Sequence, residues 1–110
     1  MPDSFLPAFE LYVVLAIARL GDNAYGVTIR QEIESRTGRS VSVGALFTTL
    51  ARLEKKGFAE SAAGSSESGK RGRPRKYCTL TPAGLQAMRH SLEMLDRMAD
   101  GLPAAETGGA

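Results

Sequence analysis

Hydrophobic residues near the start of the chain are too dense for a one-sided helix. Between positions 8 and 20 only Glu10 and Arg19 interrupt a run of apolar side chains. Pro7 before the run and Gly21 after it are typical of helix boundaries. We therefore predict a helix over residues 8–20 that is buried on nearly all sides. A small domain has little surface to cover such a helix, and this is a first indication of a dimer.

Two amphipathic helices are predicted next, over residues 25–36 and 43–56. Ser42 is a favourable N-cap for the second of these helices, and Gly57 ends it. Its apolar residues recur with helical spacing, which predicts an inward stripe formed by Val43, Leu46, Phe47, Leu50 and Leu53. The residues that would then face outward are Ala45, Thr48, Thr49, Arg52 and Lys56.

A hairpin and a last helix complete the pattern. Residues 58–61 and 75–80 are candidate strands, and the small polar residues 62–69 between them predict a loop. Thr81 and Pro82 open the last helix. Its apolar residues, spaced three and four apart, form a two-heptad seam of Leu85, Met88, Leu92, Leu95 and Ala99.

The order of these elements predicts an α+β fold that is mainly α, a winged helix-turn-helix. It comprises three helices, a two-stranded wing and a C-terminal dimerisation helix. We expect residues 1–80 to form the winged domain, residues 81–100 the dimerisation helix and residues 101–110 a flexible tail. The seam would be exposed on a monomer, so we expect a two-fold homodimer through it. The alternative is that the last helix folds back on its own domain.

The distribution of charge adds to this prediction, because the small net charge of +2 conceals a local concentration of basic residues. Five of the fourteen basic residues lie within the seven-residue segment 70–76, and the other nine are outnumbered by twelve acidic residues. A basic segment on a mildly acidic body is typical of an element that meets an anion. On the wing of a helix-turn-helix the expected partner is double-stranded DNA, although a charge run can also be a solvated loop.

Candidate DNA contacts follow from this arrangement. A recognition helix places its early outward residues in the major groove, where threonine can contact base edges or a thymine methyl group. A solvated helix surface is the alternative. The candidates on the third helix are Ser42, Ala45, Thr48, Thr49 and Arg52; those on the wing are Lys70, Arg71, Gly72, Arg73, Arg75 and Lys76.

The segment Arg71-Gly72-Arg73-Pro74 resembles the core of the AT-hook, in which extended arginines lie in the minor groove. A narrow A·T minor groove has an enhanced negative potential that attracts arginine. Contact with phosphates across the groove is the other interpretation of this segment. Either mode would supply affinity and salt sensitivity more than sequence choice.

The sequence lacks the residue combinations and motifs that are typical of enzymes. There is one histidine, His90, and one cysteine, Cys78, with no nucleophile elbow and no phosphate-binding loop that opens a helix. We expect no catalytic site, no metal site and no cofactor. No apolar run approaches the ~18–20 residues that span a bilayer, and no secretory signal precedes the first helix. We therefore expect a cytoplasmic protein without membrane contact.

Several fragments, taken in order, resemble the PadR family of bacterial transcription regulators, specifically its short members with one C-terminal helix. The resemblance spans roughly residues 9–98. It implies a winged helix, a dimer through the terminal helices, repression of nearby genes and a possible small-molecule effector. The fragments are Leu20-Gly21, Tyr25-Gly26, residues 42–47, residues 50–58, residues 72–77 and residues 80–84.

Two other functions compete with a sequence-specific regulator that binds a pseudo-palindromic operator. A winged-helix protein-interaction module would have a neutral wing and an apolar patch on the third helix. An architectural DNA binder would bind all duplexes alike. The basic wing together with Thr48, Thr49 and Arg52 favours the regulator.

Overall fold

The computed structural model describes residues 5–63 and 75–103. Within these residues the predicted α+β, mainly helical fold is confirmed, with the winged helix-turn-helix order of elements. No helix in the described part of the chain is both long and apolar enough to cross a bilayer. The elements are α1 (Ala8–Leu20), α2 (Gly26–Thr37), α3 (Val43–Lys55), β1 (Ala59–Ala63), β2 (Lys76–Leu80) and α4 (Pro82–Ala99).

Helix α1 is the centre of the domain. It packs against α2, α3, β2 and α4, which together bury both flanks of the helix. Leu11, Val13, Val14, Ala16 and Ile17 are buried, whereas Phe9, Tyr12 and Leu15 stay partly exposed. The chain's own elements therefore cover most of α1, and the density of apolar residues in this helix is a weaker indication of a dimer than the sequence suggested.

A Schellman motif ends α3 and turns the chain toward the wing. Gly57 adopts a φ of 81°, and its N–H donates to the carbonyl oxygen of Glu54 at 3.0 Å. The N–H of Phe58 donates to the carbonyl oxygen of Leu53 at 2.9 Å, and both side chains are buried. The turn thus fixes the end of α3 and anchors the start of β1 in the core.

The wing is an antiparallel pair in which Ala59 lies opposite Leu80 and Ala63 lies opposite Lys76. β1 continues two residues beyond the predicted 58–61, because pairing with β2 outweighs the low strand propensity of alanine. The other element boundaries differ from the predicted ones by about one residue, which is the usual uncertainty of helix ends. The wing tip, residues 64–74, lies outside the described residues, as do residues 104–110 of the tail.

The last helix docks on the domain through small residues. Gly84, Ala87 and Ser91 are the buried positions of α4. The Thr81 side chain caps the helix by accepting from the N–H of Gly84 at 3.0 Å, and it donates to the carbonyl oxygen of Gly57 at 2.6 Å. At the far end of this face, Ser91 Oγ accepts from the N–H of Leu6 at 2.9 Å. Helix α4 therefore does fold back on its own domain, mainly through these small residues, and of the seam residues Met88 also packs against the core.

Candidate nucleic-acid interface

The loop between α2 and α3 is clamped by two side chains of α2. Arg30 Nε donates to the carbonyl oxygen of Val41 at 2.9 Å, and the N–H of Val41 donates to Glu34 Oε2 at 2.8 Å. Val41 itself is buried. Because both backbone groups of one residue are held from the same helix, the angle between α2 and α3 is fixed at this point.

Helix α3 begins two residues after Val41, at Val43. Ser42 is its N-cap and accepts from the N–H of Ala45 at 3.1 Å, as the sequence predicted. At the other end Lys56 Nζ lies 2.7 Å from Glu10 Oε1, and this carboxylate is buried in α1. The helix is therefore held at both ends, which presents its exposed face as a rigid surface.

The buried face of α3 is rotated from the predicted one. Leu46, Thr49, Leu50 and Leu53 are buried, at spacings of three and four, and Thr49 is only 4% exposed. The prediction that Thr49 faces outward is wrong, because this position is on the same helix face as Leu46 and Leu53. Treating threonine as a possible core residue would have identified this face from the sequence.

The same rotation exposes two residues that were expected in the core. Val43 is 51% exposed and Phe47 is 53% exposed, so their predicted inward orientation is also wrong. The ring of Phe47 packs instead on the backbone at the start of α2, where a Cβ atom on Gly26 would lie 3.3 Å from Phe47 Cζ. The other outward positions agree with the sequence: Ala45, Thr48, Arg52 and Lys56 are all exposed, as is the N-cap Ser42.

The described return limb of the wing carries Arg75 and Lys76, both exposed. The Arg75 guanidinium carbon lies 4.4 Å from the centroid of the Tyr25 ring, a cation–π contact. The Tyr25 and Tyr77 rings meet edge to face with centroids 5.4 Å apart. A side-chain hydrogen bond with Tyr77 is the main cause that raises the pKa of Arg75.

Backbone contacts strengthen this junction between wing and helices. Tyr25 and Tyr77 form an isolated antiparallel bridge, and the N–H of Cys78 donates to the carbonyl oxygen of Ala24 at 2.8 Å. The return limb is thus tied to the segment that precedes α2. The remaining predicted wing contacts, Lys70, Arg71, Gly72 and Arg73, lie outside the described residues.

Helix α3 and the return limb meet in one open cleft of about 420 Å³. Among the described residues its lining contains three cationic side chains and no acidic one. Its apolar members include Val27, which is 49% exposed at the start of α2, and the exposed Val43 and Phe47. The lining residues are Tyr25, Gly26, Val27, Arg30, Val43, Phe47, Arg75 and Lys76.

The predicted seam of α4 remains largely outside the core. Leu85 and Met88 are partly buried, Leu92 and Leu95 are 40% and 50% exposed, and Ala99 is exposed. An apolar stripe of this kind along one helix is typical of a surface that another helix covers. The described chain leaves the C-terminal part of the stripe, Leu92, Leu95 and Ala99, exposed.

These features define the class of the protein. Three helices, a clamped turn before the third helix and an antiparallel hairpin that packs beside it constitute a winged helix-turn-helix. The chain belongs to the PadR-like family of transcriptional regulators, whose family model matches residues 14–90. It is a family of regulators and not of enzymes, and its members regulate transcription by binding DNA. No curated protein matches the chain significantly.

Solved structures show the same fold. A PadR family regulator from hypervirulent Clostridium difficile R20291 has a TM-score of 0.69 at 21% identity, over 84% of this chain and 95% of its own. A PadR-like regulator from Bacillus cereus has a TM-score of 0.67 at 22% identity, over 90% and 94%. RosR of H. salinarum has a TM-score of 0.65 at 26% identity, over 88% and 80%.

Proposed function

We propose that this regulator binds a pseudo-palindromic operator in double-stranded DNA as a homodimer and represses nearby genes. The observation that carries the proposal is the shared cleft, in which the start of α3 and the basic return limb line one surface. A helix for the major groove and a cationic strand beside it are the two contacts by which a winged helix holds DNA.

The two parts of this surface have different roles in the proposal. Thr48 and Arg52 project from exposed positions of α3, from which they would contact base edges and select the sequence. The wing would supply affinity through phosphates or the minor groove, with Arg71 and Arg73 as its principal charges. Arg75 would hold the limb against Tyr25 as well as add positive charge.

The exposed seam of α4 supports the homodimer. Pairing two copies through Leu92 and Leu95 would bury a stripe that one chain leaves in solvent. A two-fold dimer also presents two α3 helices to half-sites about one DNA turn apart, which predicts an approximately palindromic operator. Response to a small-molecule effector is part of the proposal and rests on the family alone.

The test is DNA binding by fluorescence anisotropy, after selection of a preferred duplex from a random pool. The Arg71→Ala, Arg73→Ala double variant is compared with an Arg89→Ala, Arg97→Ala variant, which removes the same charge from exposed positions of α4. We expect the wing variant to bind every duplex more weakly and to show a shallower dependence on salt. The α4 variant should match the wild type.

Three results would contradict the proposal in different ways. Equal affinity for all duplexes would indicate an architectural binder without an operator. Binding that is lost equally in both double variants would mean that total charge, not the wing, supplies the affinity. Failure to bind any duplex at low salt would exclude DNA as the partner.

A further inference from the structure

The cleft between α3 and the wing contains apolar surface that a purely electrostatic DNA contact does not need. Val27, Val43 and Phe47, here called the apolar patch, come from two helices and meet in this one cleft. Each has about half of its surface exposed. Single exposed apolar residues are ordinary, but three that adjoin at the proposed contact surface indicate a binding role.

The position of the patch restricts what it can contact. Val43 is the first residue of α3 and Phe47 follows one turn later, so both lie in the part of a recognition helix that enters the major groove. The rim of the same cleft is positive, with Arg30, Arg75 and Lys76 among its lining residues. A partner that fits this cleft therefore combines a negative backbone with a small apolar group.

DNA presents one apolar group in the major groove, the C5-methyl group of thymine. We propose that the apolar patch contacts a thymine methyl group in each operator half-site, and that Val43 and Phe47 thereby determine specificity at that base pair. This inference rests on the proposed function. It adds to the polar residues Thr48 and Arg52 a set of contacts that discriminates thymine from cytosine by shape and hydrophobicity.

The Phe47 ring is suited to this role because its position is fixed. It packs on the backbone of Gly26, and the clamp on Val41 holds α3 at a set angle to α2. A ring held in this way needs little ordering on binding.

The experiment uses the duplex selected from the random pool. Each thymine is replaced in turn, in both half-sites, by deoxyuridine, which pairs identically with adenine and lacks only the methyl group. We expect one thymine position at which the wild-type protein loses about fourfold in affinity per half-site, the equivalent of about 0.8 kcal/mol for one buried methyl group. Val43→Ala and Phe47→Leu should bind the thymine and deoxyuridine duplexes almost equally.

Met98→Ala is the comparison variant, because Met98 is an exposed apolar residue of α4 that does not line the cleft. It should retain the full deoxyuridine penalty. Tolerance of deoxyuridine at every position would overturn the inference, and so would a penalty that persists unchanged in Val43→Ala and Phe47→Leu. Either result leaves the proposed function intact, whereas the lack of any preferred duplex would overturn the proposed function itself. Thermal unfolding of each variant confirms that it is folded.

Discussion

Gly84 and the carbonyl group of Phe58 are in direct contact, and this contact joins α4 to the rest of the domain. A Cβ atom on Gly84 would lie 2.0 Å from the carbonyl oxygen of Phe58 and 2.9 Å from its carbonyl carbon. The same oxygen accepts from the N–H of Thr81 at 3.1 Å. The turn that ends α3 is therefore also the surface on which the start of α4 packs. The position of α3 and the direction of α4 consequently depend on one another.

Replacing Gly84 by alanine should destabilise the fold by about 1–3 kcal/mol or more, because the obstacle is backbone and cannot rotate away. Gly44→Ala is the matched control. This glycine is also in a helix, nothing lies within 4 Å of its added Cβ, and the change should stabilise by about 0.5–1 kcal/mol. Thermal unfolding at equal protein concentration measures both; a Gly84→Ala protein as stable as the wild type would mean that α4 is not seated as described.

The ion pair between Glu10 and Lys56 should stabilise the fold, because Lys56 neutralises a carboxylate that is buried. Glu10 is 5% exposed, and Lys56 Nζ lies 2.7 Å from Oε1. Lys56→Met would leave a buried carboxylate unpaired, at an expected cost of about 1–3 kcal/mol. In a double-mutant cycle by urea unfolding, Glu10→Gln should remove most of that cost. Additive single effects would show that the two groups do not interact.

Thr48 and Thr49 should separate binding from stability. Thr49 is buried, so Thr49→Ala should lower the free energy of unfolding by about 1 kcal/mol through loss of a packed methyl group. Thr48 is exposed, and Thr48→Ala should leave stability within about 0.5 kcal/mol while it changes the preferred DNA sequence. Urea unfolding and repeated selection from the random pool provide the two readouts. A Thr49→Ala protein that is as stable as the wild type would restore the outward position that the sequence predicted for Thr49.

A charge placed in the seam should prevent dimer formation. Leu95→Lys puts an ammonium group at an exposed seam position, where a partner helix would have to bury it. Gln86→Lys adds the same charge to an exposed position of α4 outside the seam. By sedimentation equilibrium we expect the wild type and Gln86→Lys to be dimers and Leu95→Lys to be a monomer. A dimer that survives Leu95→Lys would place the interface elsewhere.

The thiol of Cys78 should react slowly in the folded protein. Burial is the main cause that raises the pKa of this thiol, Glu54 raises it further, and Lys76 opposes the shift. Alkylation by iodoacetamide at pH 8 should therefore be slow until urea unfolds the chain. Fast alkylation of the folded protein would contradict this picture.

The same shift has a consequence for stability against pH. The folded state binds the thiol proton more tightly than the unfolded state does. The resulting contribution of Cys78 to the free energy of unfolding is therefore fully present below the pKa that this thiol has in the unfolded chain. It is lost as the pH rises through the folded value. Cys78→Ala should remove this alkaline decline in thermal unfolding measured as a function of pH, while the remainder of the profile stays unchanged.

Local signals in the sequence located the elements well. Pro7, Gly21, Ser42 and Pro82 restrict the backbone or cap a helix by short-range chemistry, so their effect does not depend on the rest of the fold. The seam spacing in α4 is likewise a property of one helix. The Gly-Phe turn after α3 was identified as a helix end, although its contact with Gly84 was not, because that contact joins residues far apart in sequence.

The orientation of α3 was decided by the tertiary structure. The sequence supplied an apolar stripe broad enough to include both Val43 and Leu53, and the packing of α1 and β1 against α3 selected which part of it is buried. Thr49 entered the core because its neighbours Leu46, Leu50 and Leu53 did, at a helical spacing that ignores polarity. Val43 and Phe47 were left at the cleft. Which residues are apolar is written in the sequence, but which of them are covered depends on the shape of the surfaces that the other elements offer.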